Sequence, residues 1–415
     1  MRWFVSFRYF LSHKRQSLVC IAGVTISVAM FITMSAMMEG FKDKFIIETV
    51  ESSGHITVHD EPRETRTKIL ERVFTDPNAL LAVDNVKPRD DVKKIKNAEG
   101  LMAKLRHLHG IVAVAPEVDG DAIATFGTNS LTISMLGVDP EQQLRVTTVG
   151  DDIVEGDFNR LRTTADGVII GKGVADLLGA KLNDEISLSS NTGGHTISRV
   201  VGIFSTGVTP IDYSRAYMLI NSAQTLLDKK NIINDIIIRT ADYTQAQSYA
   251  AQIESIAGYK TESWQESNAN FLKIFVIQTI MTYIITGSLL IVAAFGVLNI
   301  LIMAVLERVG DIAILKSFGL SRTDITFIYV LQGLLIGLLG TISGEIFAKI
   351  GVEGLRRLPV HVEGLIKSDG ILMSESRGMY IGAFISSMVV VLIASVYPAR
   401  RAAGYDPVEV IRCAH

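Results

Sequence analysis

Four stretches of this chain contain no Asp, Glu, Lys or Arg: residues 16–38, 274–306, 325–344 and 378–399, of 23, 33, 20 and 22 residues. A bilayer core about 30 Å thick is crossed by roughly 20 apolar residues in a helix, whereas buried helices of soluble proteins carry apolar runs of about 10–14. The four runs therefore read as membrane spans. Composition agrees. Over 415 residues, 48% are hydrophobic and 20% charged, with mean hydropathy +0.33. That excludes a disordered or fibrous chain and argues against a single soluble globule. The 40 Lys and Arg nearly balance the 43 Asp and Glu, so no basic field exists to hold nucleic acid. Two cysteines, Cys20 and Cys413, leave no disulfide framework and no cysteine-based zinc site. The first run is too long for a signal-peptide core of about 7–15 residues, and no A-x-A site follows it.

Basic residues near the span ends set the orientation. Arg2, Arg8, Lys14 and Arg15 precede the first span without an acid, which predicts a cytoplasmic N-terminus. Four crossings return the C-terminus, with Arg400, Arg401 and Arg412, to the cytoplasm, and place Arg308, Lys316 and Arg322 there too. The 345–377 loop falls outside although five basic residues accompany its five acids. The expected protein is a multi-pass membrane protein with a large extracytoplasmic domain. Its parts are a cytoplasmic segment (1–17), a first span (18–38), an extracytoplasmic α+β domain (39–273), a second span with a stalk (274–306), a cytoplasmic coupling segment (307–324), a third span (325–344), an extracytoplasmic loop (345–377), a fourth span (378–399) and a cytoplasmic tail (400–415).

The 235-residue insertion is long enough for one or two packed domains. Short β-branched stretches bounded by turn residues predict strands at 54–59, 110–118, 130–138, 166–171, 184–190, 199–205, 216–220 and 235–240. Helices are expected at 90–108, 171–179, 221–229 and 242–257. Residues 61–99 carry nine basic and eight acidic residues in 39 positions. They read as solvated surface helices or as a docking element for a partner protein.

Enzyme chemistry is not visible. Gly171-Lys172-Gly173 lacks the Ser or Thr of a phosphate-binding loop, and there is no H-E-x-x-H. His55 with His59, and His107 with His109, could share strand faces, but no carboxylate spacing supports a metal site. No catalytic residue, metal ligand or cofactor is expected in this chain.

The second run, 33 residues, makes a helix of about 50 Å at 1.5 Å per residue, longer than the bilayer core. The first has no breaker before Gly40, and KDKFIIETVE can continue it. Two long helices would connect cytoplasm to head and carry displacement between them. Gln278, Asn299 and Gln332 are uncharged and no ionisable residue lies mid-span, which argues against proton or ion coupling. The energy source then lies in a cytoplasmic partner. Val309, Ile312, Ala313 and Leu315 predict a short amphipathic helix, stopped by Gly319, that offers such a partner a docking knob. Gly333, Gly337, Gly340 and Gly344 allow close helix packing, within the chain or between two copies. Met30, Met34, Met37 and Phe41 recur at three- or four-residue steps along the first helix. They are candidates to line a cavity for lipid tails, or ordinary packing residues.

The stretch VAAFGVLNILIMAVLERVGDIAILKSFGLSRTDI (292–325) and the ending YPARRAAGYDPVEVIR (397–412) resemble FtsX-like ABC transporter permeases, particularly the lipoprotein-releasing LolC/LolE type. MEGFKDKF (38–45), GVIIGKGVADLLG (167–179), SWQESNANFL (263–272) and YVLQGLLIGLLGTISG (329–344) fit the same family in the same order. The resemblance implies a permease, itself no enzyme, working as a dimer with a second copy or a paralogue and with a separate cytoplasmic ATPase that binds ATP and Mg. It places the ATPase contact on Glu307, Arg308, Asp311, Ile312, Leu315, Lys316 and Gly319. It implies a cavity between the first two spans, from which a lipoprotein or other amphiphile passes from the outer leaflet to a periplasmic carrier or adaptor. Two features depart from the family pattern: Glu39 stands where Asn is common, and SLSSNTGGHTISRV (187–200) leaves little length for the hairpin that docks a carrier. A second function stays open, that of an FtsX-type mechanical regulator whose head activates a periplasmic hydrolase and moves nothing.

Overall fold

The computed structural model describes residue 6 and residues 14–60, 94–360 and 370–405. Arg2, Arg8, residues 61–93 of the charged segment and the C-terminal motif beyond Tyr405 lie outside the described residues. Helix α1 runs Lys14–Ser53, α2 Ala269–Glu307, α3 Val309–Ser317, α4 Arg322–Arg356 and α5 Arg377–Gly404. Among the described residues, α1, α2, α4 and α5 are long and apolar enough to cross a membrane. The 40 residues of α1 and 39 of α2 make each roughly 60 Å long, about twice the hydrocarbon core. The helix that holds the third apolar run does not end at Gly344. It continues through the charged residues to Arg356, because no breaker intervenes and Glu353 pairs with Arg357 one turn on at 2.8 Å.

The chain forms two compact units, one helical and one built from Phe45–Leu272. In the helical unit Val24, Val28 and Ile32 of α1 are fully buried with Val297 and Leu301 of α2 and Ile336 of α4. The glycine stripe of α4 serves this packing within the chain. A Cβ on Gly340 would stand 2.7 Å from that of Val24, and one on Gly344 2.7 Å from that of Val28. Gly333 and Gly337 meet Ser395 and Val391 of α5 in the same way. Buried hydroxyls satisfy one another or the backbone: Thr25 Oγ1 donates to the Gly340 carbonyl at 3.1 Å, and Thr341 and Ser387 pair at 2.8 Å.

The second unit is a mixed sheet of ten strands: β1 Ile56–His59, β2 Ile111–Phe126, β3 Asn129–Val138, β4 Ile153–Gly156, β5 Gly167–Gly171, β6 Glu185–Ser190, β7 His195–Phe204, β8 Arg215–Leu219, β9 Asp235–Thr240 and β10 Lys260–Ser263. The order is β10-β1-β9-β2-β3-β8-β5-β7-β4, with β6 against β2 and β7. Only the β3–β8 and β5–β7 pairs are parallel among the described strands. Strand β2, of 16 residues, runs through two cores. Its first half packs with helices Ala98–Arg106 and Ala246–Ala257. Its second half packs with Lys172–Leu178 and Ile220–Leu226.

The sequence predicts β2 to stop at Val118, since Asp119-Gly120-Asp121 reads as a turn. It continues because Asp119 accepts from Ser134 Oγ at 3.0 Å and Gly120 lets Leu227 lie against the backbone. Strands β4 and β10 were not predicted. IVEG and KTES lack a strong apolar alternation, and their ladders with β7 and β1 hold them in place.

Candidate coupling surface and membrane cavity

Helix α3 is fastened along one side. Arg308 leaves helical geometry between α2 and α3, and its guanidinium lies 3.8 Å from Asp311. Ala313 is buried, and Ile312, 0% exposed, packs with Val305, Ile325, Tyr329, Ala399 and Ala402. Lys316 Nζ donates to the carbonyls of Ala403 and Tyr405, both at 2.6 Å, and so satisfies acceptors at the C-terminal end of α5. Gly319, at φ +95°, ends the helix and lets the Leu320 amide donate back to Leu315. The other side is bare: Ile314 is 51% exposed and Phe318 81%.

Of the seven residues expected to form the ATPase contact, Glu307, Asp311 and Gly319 are exposed, and Arg308, Leu315 and Lys316 are half-buried. Ile312, the seventh, is fully buried in the chain's own core. The sequence analysis did not single out Ile314 and Phe318, an exposed apolar pair four residues apart that lies off the Ile312 stripe.

A cavity of about 340 Å³ opens between α1, α2 and the start of α5. Phe31, Ser35, Met38, Glu39 and Lys42 line it from α1, and Phe275, Thr279, Thr282 and Tyr283 from α2. Phe31 stacks on Tyr283 with ring centroids 6.0 Å apart. Ser35 Oγ is buried without a hydrogen-bond partner, and Glu39 and Lys42 sit 4.0 Å apart. The expected stripe lies elsewhere on α1. Met30 and Met37 are exposed and Met34 and Phe41 half-buried, and none of the four lines this cavity. Phe41 instead meets Phe275 edge-on at 5.9 Å. Backbone from the segment before α5 crosses α1 here. The Ser374 amide donates to the Ala36 carbonyl at 2.9 Å, and a Cβ on Gly40 would stand 2.7 Å from the Leu372 carbonyl carbon.

In the second unit, His55 Nδ1 accepts from the Thr240 amide at 3.1 Å. Burial, reinforced by Arg239, lowers its pKa to about 4, which marks a neutral structural histidine. His59 faces Glu262 at 4.0 Å. No group of three or more His, Cys, Asp or Glu among the described residues is placed to hold a metal ion. The β6–β7 hairpin closes over Asn191–Gly194, and Gly194 lies so close to the Leu226 carbonyl that a Cβ would clash. The hairpin tip is thus folded onto its own unit.

Residues 17–256 match the family model of the MacB-like periplasmic core domain, and residues 283–407 that of the FtsX-like permease C-terminal region. The lipoprotein-releasing system transmembrane protein LolC of Neisseria meningitidis is 25% identical over 443 aligned residues, covering 98% of both chains. LolE of Haemophilus influenzae is 24% identical over 442, covering 99% of this chain and 98% of that protein. The macrolide export ATP-binding/permease protein MacB of Bartonella quintana is 22% identical over 415, covering 96% of this chain and 57% of that protein.

Proposed function

The chain belongs to the FtsX-like permeases that carry a MacB-like periplasmic core domain, and on that premise we propose that it lifts a lipoprotein or similar acylated amphiphile from the outer leaflet of the inner membrane. It is a permease component of that membrane with a periplasmic domain. The observation that carries the proposal is the cavity between α1 and α2. Phe31, Met38, Phe275 and Tyr283 offer acyl chains an apolar wall, while Glu39 and Lys42 offer a polar partner to the head of the same molecule. A mechanical regulator that moves nothing has no use for such a chamber, so transport is the preferred reading. The names of the LolC and LolE relatives agree with it.

Work is supplied by a separate cytoplasmic ATPase that binds ATP and Mg and docks on α3, with Ile314 and Phe318 as apolar anchors. A second permease chain, copy or paralogue, completes the assembly. Helices α1 and α2 are each unbroken over 40 and 39 residues, which suits them to pass on displacement. A periplasmic carrier, if one receives the cargo, docks on something other than an extended β6–β7 hairpin.

Site-specific photocrosslinking tests the transport reading. A crosslinker at Ser35 should capture an acylated protein, and one at Met30, which is exposed on the span and meets bulk lipid, should capture that protein far less. Equal capture at both positions, or none at Ser35 while the ATPase still co-purifies, would put the mechanical regulator in front.

A further inference from the structure

The unit Phe45–Leu272 holds a cavity of about 420 Å³, within the roughly 300–1,000 Å³ of small-ligand sites. Its walls come from the end of α1, from β2, β3, β8 and β9, and from the stretch that leads into α2. It shares no residue with the membrane cavity or with α3.

Two chemistries meet in it. One wall is aromatic, with Phe45, Trp264 and Phe271, and the Phe45 and Phe271 ring centroids lie 5.3 Å apart. The other is acidic. Glu117 and Asp235 are ladder partners on β2 and β9, and Asp119 follows two residues after Glu117. One guanidinium, Arg215, stands against these three carboxylates, and its Nη1 donates to Ser53 Oγ at 2.9 Å.

The acidic wall is also short of donors. Glu117 is only 7% exposed, and its Oε2 has no hydrogen-bond partner. Thr49 Oγ1 and Gln143 Oε1, in residues buried still deeper on the same cavity, have none either. Buried acceptors left unmet are uncommon in folded proteins and call for a partner. Burial, followed by the charge of Asp235, raises the Glu117 carboxyl to about 8, so the site holds a proton where a cation could stand. A bare metal ion does not suit it: no ligating set of three exists among the described residues, and a wall of three aromatic rings has nothing to coordinate.

We propose that this cavity binds a small organic ammonium compound with an apolar or aromatic body. The ammonium donates to Glu117 Oε2 and Gln143 Oε1, and the body lies against Phe45, Trp264 and Phe271. An ammonium has donors and no acceptors, which complements unmet oxygens, and aromatic faces attract cations. Because both the end of α1 and the start of α2 form the walls, an occupant ties them together within this unit.

The full-length protein in detergent micelles provides the test. The chain has two tryptophans, so a Trp3→Phe background, excited where tyrosine does not absorb, leaves Trp264 as the sole emitter. Titration with 2-phenylethylammonium should change Trp264 emission saturably, and uncharged 2-phenylethanol should need at least tenfold more. Partition into the micelle would affect both probes alike and without saturation. Glu117→Gln should weaken ammonium binding at least tenfold, and Asp235→Asn should also weaken it, serving in its place if Glu117→Gln does not fold. No saturable response to the ammonium, an equal response to the alcohol, or full affinity in every folded variant would overturn the proposal.

Discussion

The ammonium of Lys316 reaches the carbonyl oxygen of Ala403 at 2.6 Å, so the short helix α3 is pinned to the end of α5. The same ammonium holds the Tyr405 carbonyl at the same distance. A hydrogen bond to a charged group contributes roughly 1.5–3 kcal/mol. Lys316→Met keeps the aliphatic stem and removes both bonds. It should lower the melting temperature of the purified protein, and Lys316→Arg should recover part of the loss. Unchanged melting in Lys316→Met would mean that the pin adds nothing.

Docking and folding should separate on the two sides of α3. Phe318→Asp places a charge on a side chain that already meets solvent, so insertion and melting should be kept while co-purification of the ATPase falls. Ile312→Asp buries an unpaired carboxylate in a packed site, at several kcal/mol, and should cost folded protein first. If Phe318→Asp retains full ATPase binding, the docking surface has been misplaced.

Gly40 permits the Leu372–Met373 backbone to cross α1. Gly40→Ala must push that backbone away, at about 1–3 kcal/mol, and should reshape the cavity lined by Glu39 and Lys42. Gly287, on α2, has nothing within 4 Å of a built Cβ, so Gly287→Ala should be tolerated. Thermal stability of the two variants, measured side by side, distinguishes them.

Acid-base linkage has a defined sign at Glu117. Its folded pKa, raised from 4.5 to about 8 by burial and then by Asp235, exceeds its unfolded one. Between pH 4.5 and 8 the folded protein keeps a proton that the unfolded chain has released, so stability falls as pH rises through this window. Asp152, raised from 3.8 to about 6 by burial and then by Glu48, acts in the same direction at lower pH. His55, lowered from 6.5 to about 4, opposes both, since stability is lost there as pH falls. Glu117→Gln should therefore flatten the decline between about pH 6 and 8, as read by urea unfolding of the full-length protein under circular dichroism. An unaltered slope would show that this carboxyl ionises normally.

Topology can be read by labelling. A cysteine at Asn191, exposed at the β6–β7 turn, should react with an impermeant thiol reagent from the periplasmic side. One at Ser317, exposed on α3, should not until the membrane is opened. The reverse pattern would remove both the orientation and the ATPase contact.

The four spans were legible because crossing a bilayer depends on local composition: an uninterrupted apolar run is sufficient, whatever it packs against. Most of the strands were legible for a related reason. Segments such as Gly167–Gly171 and Asp235–Thr240 are β-branched stretches bounded by turn residues, and that signal is local too. The faces of the helices were not legible. Met30 and Ser35 lie little more than one turn apart on α1, yet one is exposed and the other lines a cavity. Ile312 and Ile314 are the same residue type two positions apart, one sealed in the bundle and one bare. In a membrane the lipid is as apolar as the core, so apolarity does not say which side of a helix turns inward. Only the packed structure makes that choice, through the fit of Gly340 on Val24 and Gly344 on Val28 and the reach of Lys316 to Ala403. The buried Glu117 was hidden in the same way: its neighbours Asp235 and Arg215 are about a hundred residues away along the chain, and they meet only when β8 and β9 take their places in the sheet.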